Sequence, residues 1–460
     1  MSFRLDWNLL LSDKRHSVSG TSPAPGGATA PAMESSTVAS TRTPFERDCD
    51  RVIFSAPFRR LAGKTQVHPF AKIDHIHNRL THSLEVASVG RSLAYAAGRI
   101  LLKRNELPKG RTPEDLNCIV QAACLAHDIG NPPFGHAGEF AIREWANAHL
   151  RELFGNRMAG SLHGVSRDWL FFEGNAQSFR MVSRADARDQ AYFKLTYATL
   201  GTMMKYPWHS GDSRVDTVRK FSAFSSEIEI FDDVVQTLGL RLPNGTITRH
   251  PLSYLTEAAD DICYRITDLE DAVRMRILQE SEVRRIFVQI IGRDETRPLS
   301  AMRAGAIGAL TEAASEVFEK HYDEIISGKR PVDRDLKSDF PDRMKEALAE
   351  IKKRYESDIF SHRPKIASEL GAYNTLGRIL GAYASAAREL STTGDYERLS
   401  FVQRRCLELA WEKDYILQNQ TRGEAWWLAQ VMDFIAGMTD NFALQVSSEI
   451  GGIQERWNQI

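Results

Sequence analysis

The stretch LAHDIGNPPFGHAGE, residues 125–139, places a histidine and an acid on each side of two adjacent prolines. It continues the segment EDLNCIVQAAC, whose helical periodicity puts His127 on the apolar face. A proline lacks the backbone N–H and disfavours helical geometry in the residue before it. Pro132-Pro133 therefore predict that this helix ends just after His127 and Asp128. The pair is expected at a helix terminus, where a ligand can approach it.

A second inward-facing histidine occurs in NRLTHSLEVASVGRSLAYAAGRILLKR, residues 78–104. His82 shares the apolar face of this predicted helix with Val86, Val89 and Leu93. A histidine on an apolar face is more often a hydrogen-bonded core residue than a ligand, and that alternative stays open for each histidine taken alone. Two of them, with Asp128 beside one, favour a metal site, because imidazole and carboxylate groups on neighbouring helices bind divalent metals.

Beyond the prolines, His136 and Glu139 are three residues apart at the start of GHAGEFAIREWANAHL. On a helix they share one face, so the carboxylate can orient the imidazole. A histidine supported in this way is a candidate general acid or base. The alternative is a helix N-terminus that simply carries polar capping residues.

The segment LTEAADDICYRITDLEDAV supplies the best candidate for a fourth metal ligand, Asp260. Its predicted helix has an apolar stripe and, on the opposite side, Asp260, Tyr264 and Asp268 at intervals of four residues. Such an acidic face is usually solvated. The same geometry would also form one wall of a polar pocket.

Most of the remaining chain shows helical periodicity and little strand-like alternation, which predicts an all-α fold. Three substantial helices are expected in the C-terminal third, over residues 340–362, 363–390 and 423–450. The segment RTPFERDCDRVIFSAPFRRLAGKTQV, residues 42–67, interleaves cations with apolar residues. It predicts an amphipathic helix with solvated charges.

The 460 residues include 42% hydrophobic and 26% charged residues, and the formal net charge is −1. This near-neutral total favours a small anionic ligand in a local cationic pocket over a duplex nucleic acid. A single-stranded nucleic acid partner is compatible with it but not indicated. The five cysteines form no CxxC pair, so neither a disulfide framework nor a thiolate zinc site is expected. With no signal-like or membrane-spanning apolar run, we expect a cytoplasmic protein.

Taken together, these motifs resemble the HD-domain superfamily of metal-dependent phosphohydrolases, in its branch of dGTPase-like deoxynucleoside triphosphate triphosphohydrolases. The family's ordered motifs appear here as FRRLAGKTQV, HNRLTHSLEVASVGRSLA, LAHDIGNPPFGHAGE, FFEGNAQSFRMV, LTYATLGTMMKYPW, EAADDICYRITDLEDA and FIAGMTDNFALQV. The resemblance implies a multi-helical HD fold with a helical C-terminal region packed on it.

The resemblance also assigns roles to individual residues. It implies that the metal ligands are His82, His127, Asp128 and Asp260, and that the catalytic histidine and acid are His136 and Glu139. It implies deoxyribose contacts from Gln66, Tyr264 and Asp268, and triphosphate contacts from Arg79, Lys205 and Tyr206.

The reaction implied by the resemblance is hydrolysis of a dNTP to deoxynucleoside and inorganic triphosphate with Mg²⁺ or Mn²⁺. Mixed nitrogen and oxygen ligands also accept Fe, Co, Ni or Zn. A homo-oligomer, with a hexamer as one form, and a second, allosteric dNTP are further implications. Two alternatives stay open: an HD phosphohydrolase acting on other nucleotides or on nucleic-acid ends, and a regulator that binds dNTPs without turnover.

The sequence divides into four expected regions. Residues 1–16 form an N-terminal segment, and residues 17–43 form a flexible insertion rich in Ser, Thr, Ala, Gly and Pro. Residues 44–290 are expected to form the HD-type phosphohydrolase domain, because they carry the candidate metal, catalytic and substrate residues. Residues 291–460 are expected to form the C-terminal helical region.

Overall fold

The computed structural model of this chain describes residues 3–16, 42–67, 76–160, 162–184, 193–293 and 296–452. The expected insertion over 17–43 lies outside these ranges, apart from its last two residues. The described ranges contain 21 α-helices, and their only β-structure is isolated bridges, which confirms the predicted all-α class. No helix within them combines the length and the apolar character that a membrane span requires.

The helices of the N-terminal part are α1 Trp7–Leu10, α2 Pro44–Ile53, α3 Ala56–Arg60, α4 Arg79–Arg104, α5 Pro113–Ala126, α6 His136–Phe154, α7 His163–Leu170, α8 Gly174–Ser183, α9 Tyr197–Met203, α10 Val215–Val218, α11 Ile228–Thr237 and α12 Ser253–Arg274. Those of the C-terminal part are α13 Glu280–Ile291, α14 Leu299–Lys320, α15 Tyr322–Ile326, α16 Asp342–Arg354, α17 Arg363–Thr393, α18 Phe401–Ala410, α19 Lys413–Asn419, α20 Glu424–Ala436 and α21 Asp440–Ile450.

Helices α4, α5 and α12 pack against one another at the centre of the larger core. The first two lie unusually close, because Gly90 of α4 faces Cys124 of α5. A Cβ added at Gly90 would lie 2.5 Å from the sulfur of that cysteine. The predicted helices over 78–104 and 114–128 are thus confirmed as α4 and α5, although α5 ends at Ala126, one residue before His127.

A second core is built mainly from α6, α17, α20 and α21 and includes several fully or nearly fully buried tryptophans, among them Trp169 and Trp427. The larger core extends along the chain as far as Ile359, whereas the second core begins at Phe134. Both cores therefore draw side chains from each side of residue 290. The division of the chain at that residue stays a prediction.

Two predicted helices are wrong in extent. Residues 42–67 form α2 and α3 with a break between them, where Ser55 caps α3 by accepting from the Phe58 N–H at 3.3 Å. Residues 423–450 form α20 and α21, because the Thr439 hydroxyl accepts from the Phe442 N–H at 3.2 Å and starts a new helix. The charges of the first segment are not all solvated either, since Lys64 is only 2% exposed.

Candidate active site

Three helices bring two imidazoles and a carboxylate together. Single ligand atoms of His82 on α4, His127 after α5 and Asp260 on α12 all lie within 4.8 Å of one another. Asp260 Oδ1 is 3.1 Å from Nε2 of His82 and 3.7 Å from Nε2 of His127. We call these three residues the metal group. They are a set of side chains that could hold a metal ion, as the sequence predicted.

The orientation of His127 is fixed by its surroundings. Its Nδ1 lies 2.6 Å from the Cys124 carbonyl oxygen, so Nδ1 carries the donated proton and Nε2 faces the metal group. The Ser178 hydroxyl donates to the His127 carbonyl at 2.7 Å and accepts from the Gly130 N–H at 2.9 Å. A Cβ at Gly130 would lie 2.1 Å from the Ser178 nitrogen, so only glycine fits this turn.

Asp128 lies beside the metal group but is shared with other partners. Its Oδ1 is 3.5 Å from His127 Nε2 and accepts from the Asn131 side-chain amide, while its Oδ2 accepts from Arg79 Nη1 at 2.6 Å. Burial by itself raises the pKa of Asp128, but the charges of Arg79 and the two histidines outweigh it. The pKa is therefore held well below its usual range, and the carboxylate is ionised.

His136 and Glu139 form a pair in which one member is exposed and the other is enclosed. His136 Nδ1 is 3.3 Å from Glu139 Oε2, and the two side chains are 77% and 4% exposed. Glu139 Oε1 also accepts from the Gly174 N–H at 2.8 Å. Burial favours the neutral acid, but the hydrogen bond to His136 and the charge of Lys220 lower the pKa of Glu139 to about 2.

The loop before His136 lies against the pair formed by Arg79 and Asp128. Phe134 and Gly135 both have left-handed backbone conformations, with φ of 65° and 61°. A Cβ at Gly135 would lie 2.8 Å from Arg79 Nη2, so a side chain there would displace the guanidinium. The loop itself contacts Asp128, beside the metal group, through the side-chain amide of Asn131. The distance that the loop sets between His136 and a bound metal stays a prediction.

Of the two proposed sugar-contact residues of α12, Asp268 is buried and Tyr264 is half-buried. Asp268 is 2% exposed, so the alternative of a solvated acidic face is wrong at this position. The Tyr355 hydroxyl donates to Asp268 Oδ2 at 2.5 Å and lies 3.1 Å from the Tyr264 carbonyl oxygen. Burial raises the pKa of Asp268 to about 7, even though the hydrogen bond from Tyr355 opposes the shift.

The other predicted substrate contacts are not part of the metal group. Lys205 Nζ is 3.2 Å from Glu257 Oε1, one helical turn before Asp260 on α12, and 5.6 Å from the centre of the Tyr206 ring. Gln66 is half-buried, and its amide oxygen has no hydrogen-bond partner among the described residues. The roles assigned to all of the predicted site residues stay predictions.

Sequence reasoning missed three residues that support the site. Tyr355 lay within the predicted helix over residues 340–362 and was given no role. Lys64 donates from Nζ to the carbonyl oxygens of Asn131 and Ala436, each at 2.6 Å. Asp440 accepts from the Phe134 N–H at 2.8 Å. Lys64 and Asp440 lie within motifs that carry the family resemblance, but nothing in the local sequence indicates which distant residues they contact.

Comparison with known proteins agrees with this geometry. Residues 79–185 match the HD domain, a range that begins at the first residue of α4 and includes Glu139. The chain is 41% identical over 433 residues to a deoxyguanosinetriphosphate triphosphohydrolase-like protein of Pseudomonas aeruginosa (strain LESB58), covering 89% of this chain and 94% of the relative.

Two further relatives extend the comparison. A protein of the same name from Synechocystis sp. (strain ATCC 27184 / PCC 6803 / Kazusa) is 35% identical over 436 residues, 90% of this chain and 94% of the relative. The deoxyguanosinetriphosphate triphosphohydrolase of Cronobacter sakazakii (strain ATCC BAA-894) is 37% identical over 272 residues, 52% of each chain. The chain therefore belongs to the HD-domain family of deoxyguanosinetriphosphate triphosphohydrolase-like proteins.

Proposed function

We propose that the protein hydrolyses deoxynucleoside triphosphates to deoxynucleoside and inorganic triphosphate with a divalent metal ion. The observation that carries the proposal is the metal group, beside which Asp128 accepts from Asn131 of the loop that leads into His136. The relatives add independent support, since they are named as deoxyguanosinetriphosphate triphosphohydrolases or proteins like them.

The metal group fits a divalent cation because its side chains turn hydrogen-bond acceptors toward one another. His127 donates from Nδ1 to a carbonyl, so its neutral form turns a lone pair on Nε2 toward the carboxylates of Asp128 and Asp260. Lone pairs at these distances repel unless a cation or a proton lies between them. Imidazole nitrogen and carboxylate oxygen suit several first-row metals, so the set is compatible with Mn²⁺ and Mg²⁺ as well as Fe, Co, Ni and Zn.

A bound divalent ion would polarise the α-phosphate and lower the pKa of the attacking water. The protein would supply His82, His127, Asp128 and Asp260 as its ligands.

In this proposal His136 protonates the 5′-oxygen as the bond from that oxygen to the α-phosphorus breaks. Its side chain is exposed, so a substrate can reach the imidazole, while Glu139 beneath it holds Nδ1. Because the pKa of Glu139 is about 2, its carboxylate stays charged at neutral pH and stabilises the protonated imidazole. General acid catalysis of this kind contributes typically about 100- to 10,000-fold to the rate.

The substrate contacts in this proposal fall into two groups. Tyr264, Asp268 and Gln66 would contact the deoxyribose. Arg79, Lys205 and Tyr206 would contact the triphosphate. The cations Arg79 and Lys205 are now paired with Asp128 and Glu257, so substrate binding would replace a carboxylate partner by phosphate oxygens.

Product analysis tests the reaction. The purified protein is incubated with Mn²⁺ or Mg²⁺ and each of the four dNTPs, and the products are separated by anion-exchange chromatography. We expect deoxynucleoside and triphosphate in equal amounts. Pyrophosphate or orthophosphate as the first product would contradict the proposal and favour another HD phosphohydrolase reaction. Binding without any product would favour the dNTP-binding regulator.

We also propose, from the family resemblance, a cytoplasmic homo-oligomer, with a hexamer as one form, and activation by a second dNTP. An exposed apolar face on α17, formed by Ile366, Leu370 and Tyr373, supports the assembly. Light scattering coupled to size-exclusion chromatography measures the assembly, and assays with mixtures of dNTPs measure the activation.

A further inference from the structure

A cavity of about 350 Å³ lies between the end of α3 and helices α20 and α21. Its principal lining residues are Arg60, Trp411, Gln430, Phe434, Thr439 and Phe442. We call it the Trp411 cavity. None of the residues proposed above to bind metal or substrate, or to act in catalysis, lines it. It is therefore separate from the candidate active site.

Two buried hydrogen-bond donors in this cavity lack acceptors. Arg60 Nε has no partner among the described residues, and no carboxylate there pairs with its guanidinium. Gln430 is 6% exposed, and its Nε2 also has no acceptor. The Gln430 oxygen lies 3.5 Å from Arg184 Nη2, and because a guanidinium only donates, this contact fixes which amide atom is the oxygen. Both nitrogens are enclosed, so a ligand in the cavity would reach the Arg60 guanidinium through its terminal nitrogens and would have to bring an acceptor.

The net charge of the lining also favours an anion. Among the described residues, Asp433 is the only acid that lines the cavity, and its carboxylate already accepts from Arg180 and Arg184. Arg60 has no carboxylate partner within the described part of the chain, and burial lowers the pKa of its guanidinium. An ionised ligand group would restore the charge balance through a charge-assisted hydrogen bond.

Three of the residues that line the cavity are aromatic. The ring centre of Phe434 is 5.6 Å from that of Trp411 and 6.3 Å from that of Phe442. Aromatic faces and edges of this kind pack well against a flat ring. One unpaired cation suits one phosphate or carboxylate, whereas a triphosphate would bury most of its charge without partners. The volume lies near the lower end of the range of small-molecule sites, about 300–1,000 Å³.

We propose that the Trp411 cavity binds a small anion that carries a flat ring, in the chemical class of nucleoside 5′-monophosphates. The phosphate accepts from the terminal nitrogens of Arg60, and the base packs against Trp411 and Phe434.

Such a ligand would contact the turn between α20 and α21, which is connected to the loop over residues 131–136. Thr439 lines the cavity. Two residues near it are connected to the loop by hydrogen bonds, Ala436 through Lys64 and Asp440 directly. The Ala436 carbonyl accepts from Lys64, which also donates to the Asn131 carbonyl. The Asp440 carboxylate accepts from the Phe134 N–H at 2.8 Å. Occupancy of the cavity is therefore expected to stabilise the loop over residues 131–136.

Calorimetric titration of the metal-free protein with dGMP and with AMP tests the binding. We expect saturable binding that weakens at least about tenfold in Arg60→Gln, because the ion pair is lost. The matched control is Arg59→Gln, which removes the same charge from an exposed neighbour and should change the affinity less than about twofold. Free deoxyguanosine and inorganic phosphate should each bind at least about tenfold more weakly than dGMP.

A second variant keeps the test decisive if Arg60→Gln does not fold. Gln430→Glu preserves the side-chain shape, removes the unpaired donor and adds a negative charge, so it should also weaken dGMP binding at least about tenfold. His127→Ala, which disrupts the candidate active site, should leave the binding unchanged. Loss of binding in His127→Ala would place the monophosphate in the active site and overturn the proposal.

Two other outcomes would overturn the binding proposal: equal affinities in the Arg59 and Arg60 variants, or no saturable binding up to about 5 mM dGMP. Hydrogen exchange tests the link to the loop. Saturating dGMP should slow amide exchange over residues 131–136 several-fold in the wild type and not in Arg60→Gln, and an unchanged exchange rate would contradict the link. None of these measurements depends on triphosphohydrolase activity.

Discussion

The Asp440 carboxylate accepts the backbone N–H of Phe134 at 2.8 Å, and so joins the first residue of α21 to the loop that leads into His136. Phe134 has a φ of 65°, a conformation that a bulky residue adopts only when its surroundings enforce it. The other oxygen of Asp440 accepts from the Thr65 N–H at 3.0 Å. One buried acid thus fixes the loop over residues 131–136 and the segment that carries Gln66.

We expect Asp440→Ala to lower kcat about 10- to 100-fold, because a misplaced catalytic group costs that much without any loss of the metal. Asp440→Asn keeps one acceptor for Phe134 and should lose less activity. The measurements are kcat and KM with saturating Mn²⁺, together with Mn²⁺ affinity by calorimetry. Asp342→Asn is the matched control, since Asp342 also begins a helix but is 89% exposed. Loss of Mn²⁺ binding in Asp440→Ala would contradict a positioning role.

His127→Ala should abolish tight binding of a divalent metal while the protein stays helical. The imidazole provides one of the three ligand atoms of the metal group, and a small hydrophobic replacement provides none. Metal content after dialysis is measured by elemental analysis, and helicity by circular dichroism. The exposed His163 serves as the control, and its alanine variant should retain the metal. A His127→Ala protein with full metal content would rule out the proposed ligand set.

His136→Gln should lower kcat about 100- to 10,000-fold and leave metal affinity unchanged, because the residue acts on a proton and not on the metal. Glu139→Gln removes the charge that supports the imidazolium and should lower kcat less. Because the pKa of Glu139 is about 2, its ionisation should produce no inflection in the pH–rate profile between pH 5 and 9. A profile whose acidic limb disappears in Glu139→Gln would contradict this assignment.

The parts of the site that were predictable depend on local sequence. The capping and periodicity of residues 78–104 and 114–128 fix α4 and α5, and with them the inward histidines. The break at Thr439 also has a local signal, a threonine with an acid after it, but the apolar periodicity on both sides concealed it. Contacts between distant segments have no such signal. Lys64 joins Asn131 to Ala436 of the second core, and Tyr355 contacts Asp268 within the larger core. Periodicity specifies neither contact.

Tyr355→Phe tests one of these distant contacts. It removes the donor to the buried Asp268, so we expect a loss of about 1–3 kcal/mol in unfolding free energy. The pKa of Asp268 should also rise above its present value of about 7, because the hydrogen bond from Tyr355 lowers it. Chemical denaturation measures the first effect. Tyr95→Phe, at an exposed position of α4, should change stability by less than about 0.5 kcal/mol.

His250 should make the stability of the protein sensitive to mild acid. The imidazole is fully buried, with Nε2 3.1 Å from the Leu10 carbonyl oxygen and Nδ1 accepting from the Leu252 N–H at 3.1 Å. Burial lowers its pKa to about 4, so the unfolded chain binds a proton more readily than the folded chain does. The free energy of unfolding therefore keeps its full value above about pH 6.5, the pKa of this imidazole in the unfolded chain. It falls by about 3 kcal/mol as the pH drops to 4.

His250→Gln removes this titrating group, so its Tm should fall less steeply between pH 7 and pH 5 than that of the wild type. Glutamine can still offer a donor and an acceptor, so the variant removes the titration of this site and keeps most of the packing. The control is His163→Gln, where the imidazole is exposed and no change of slope is expected. Calorimetric Tm values across this pH range provide the test. Identical slopes in the wild type and His250→Gln would mean that other groups, and not this buried imidazole, set the acid sensitivity.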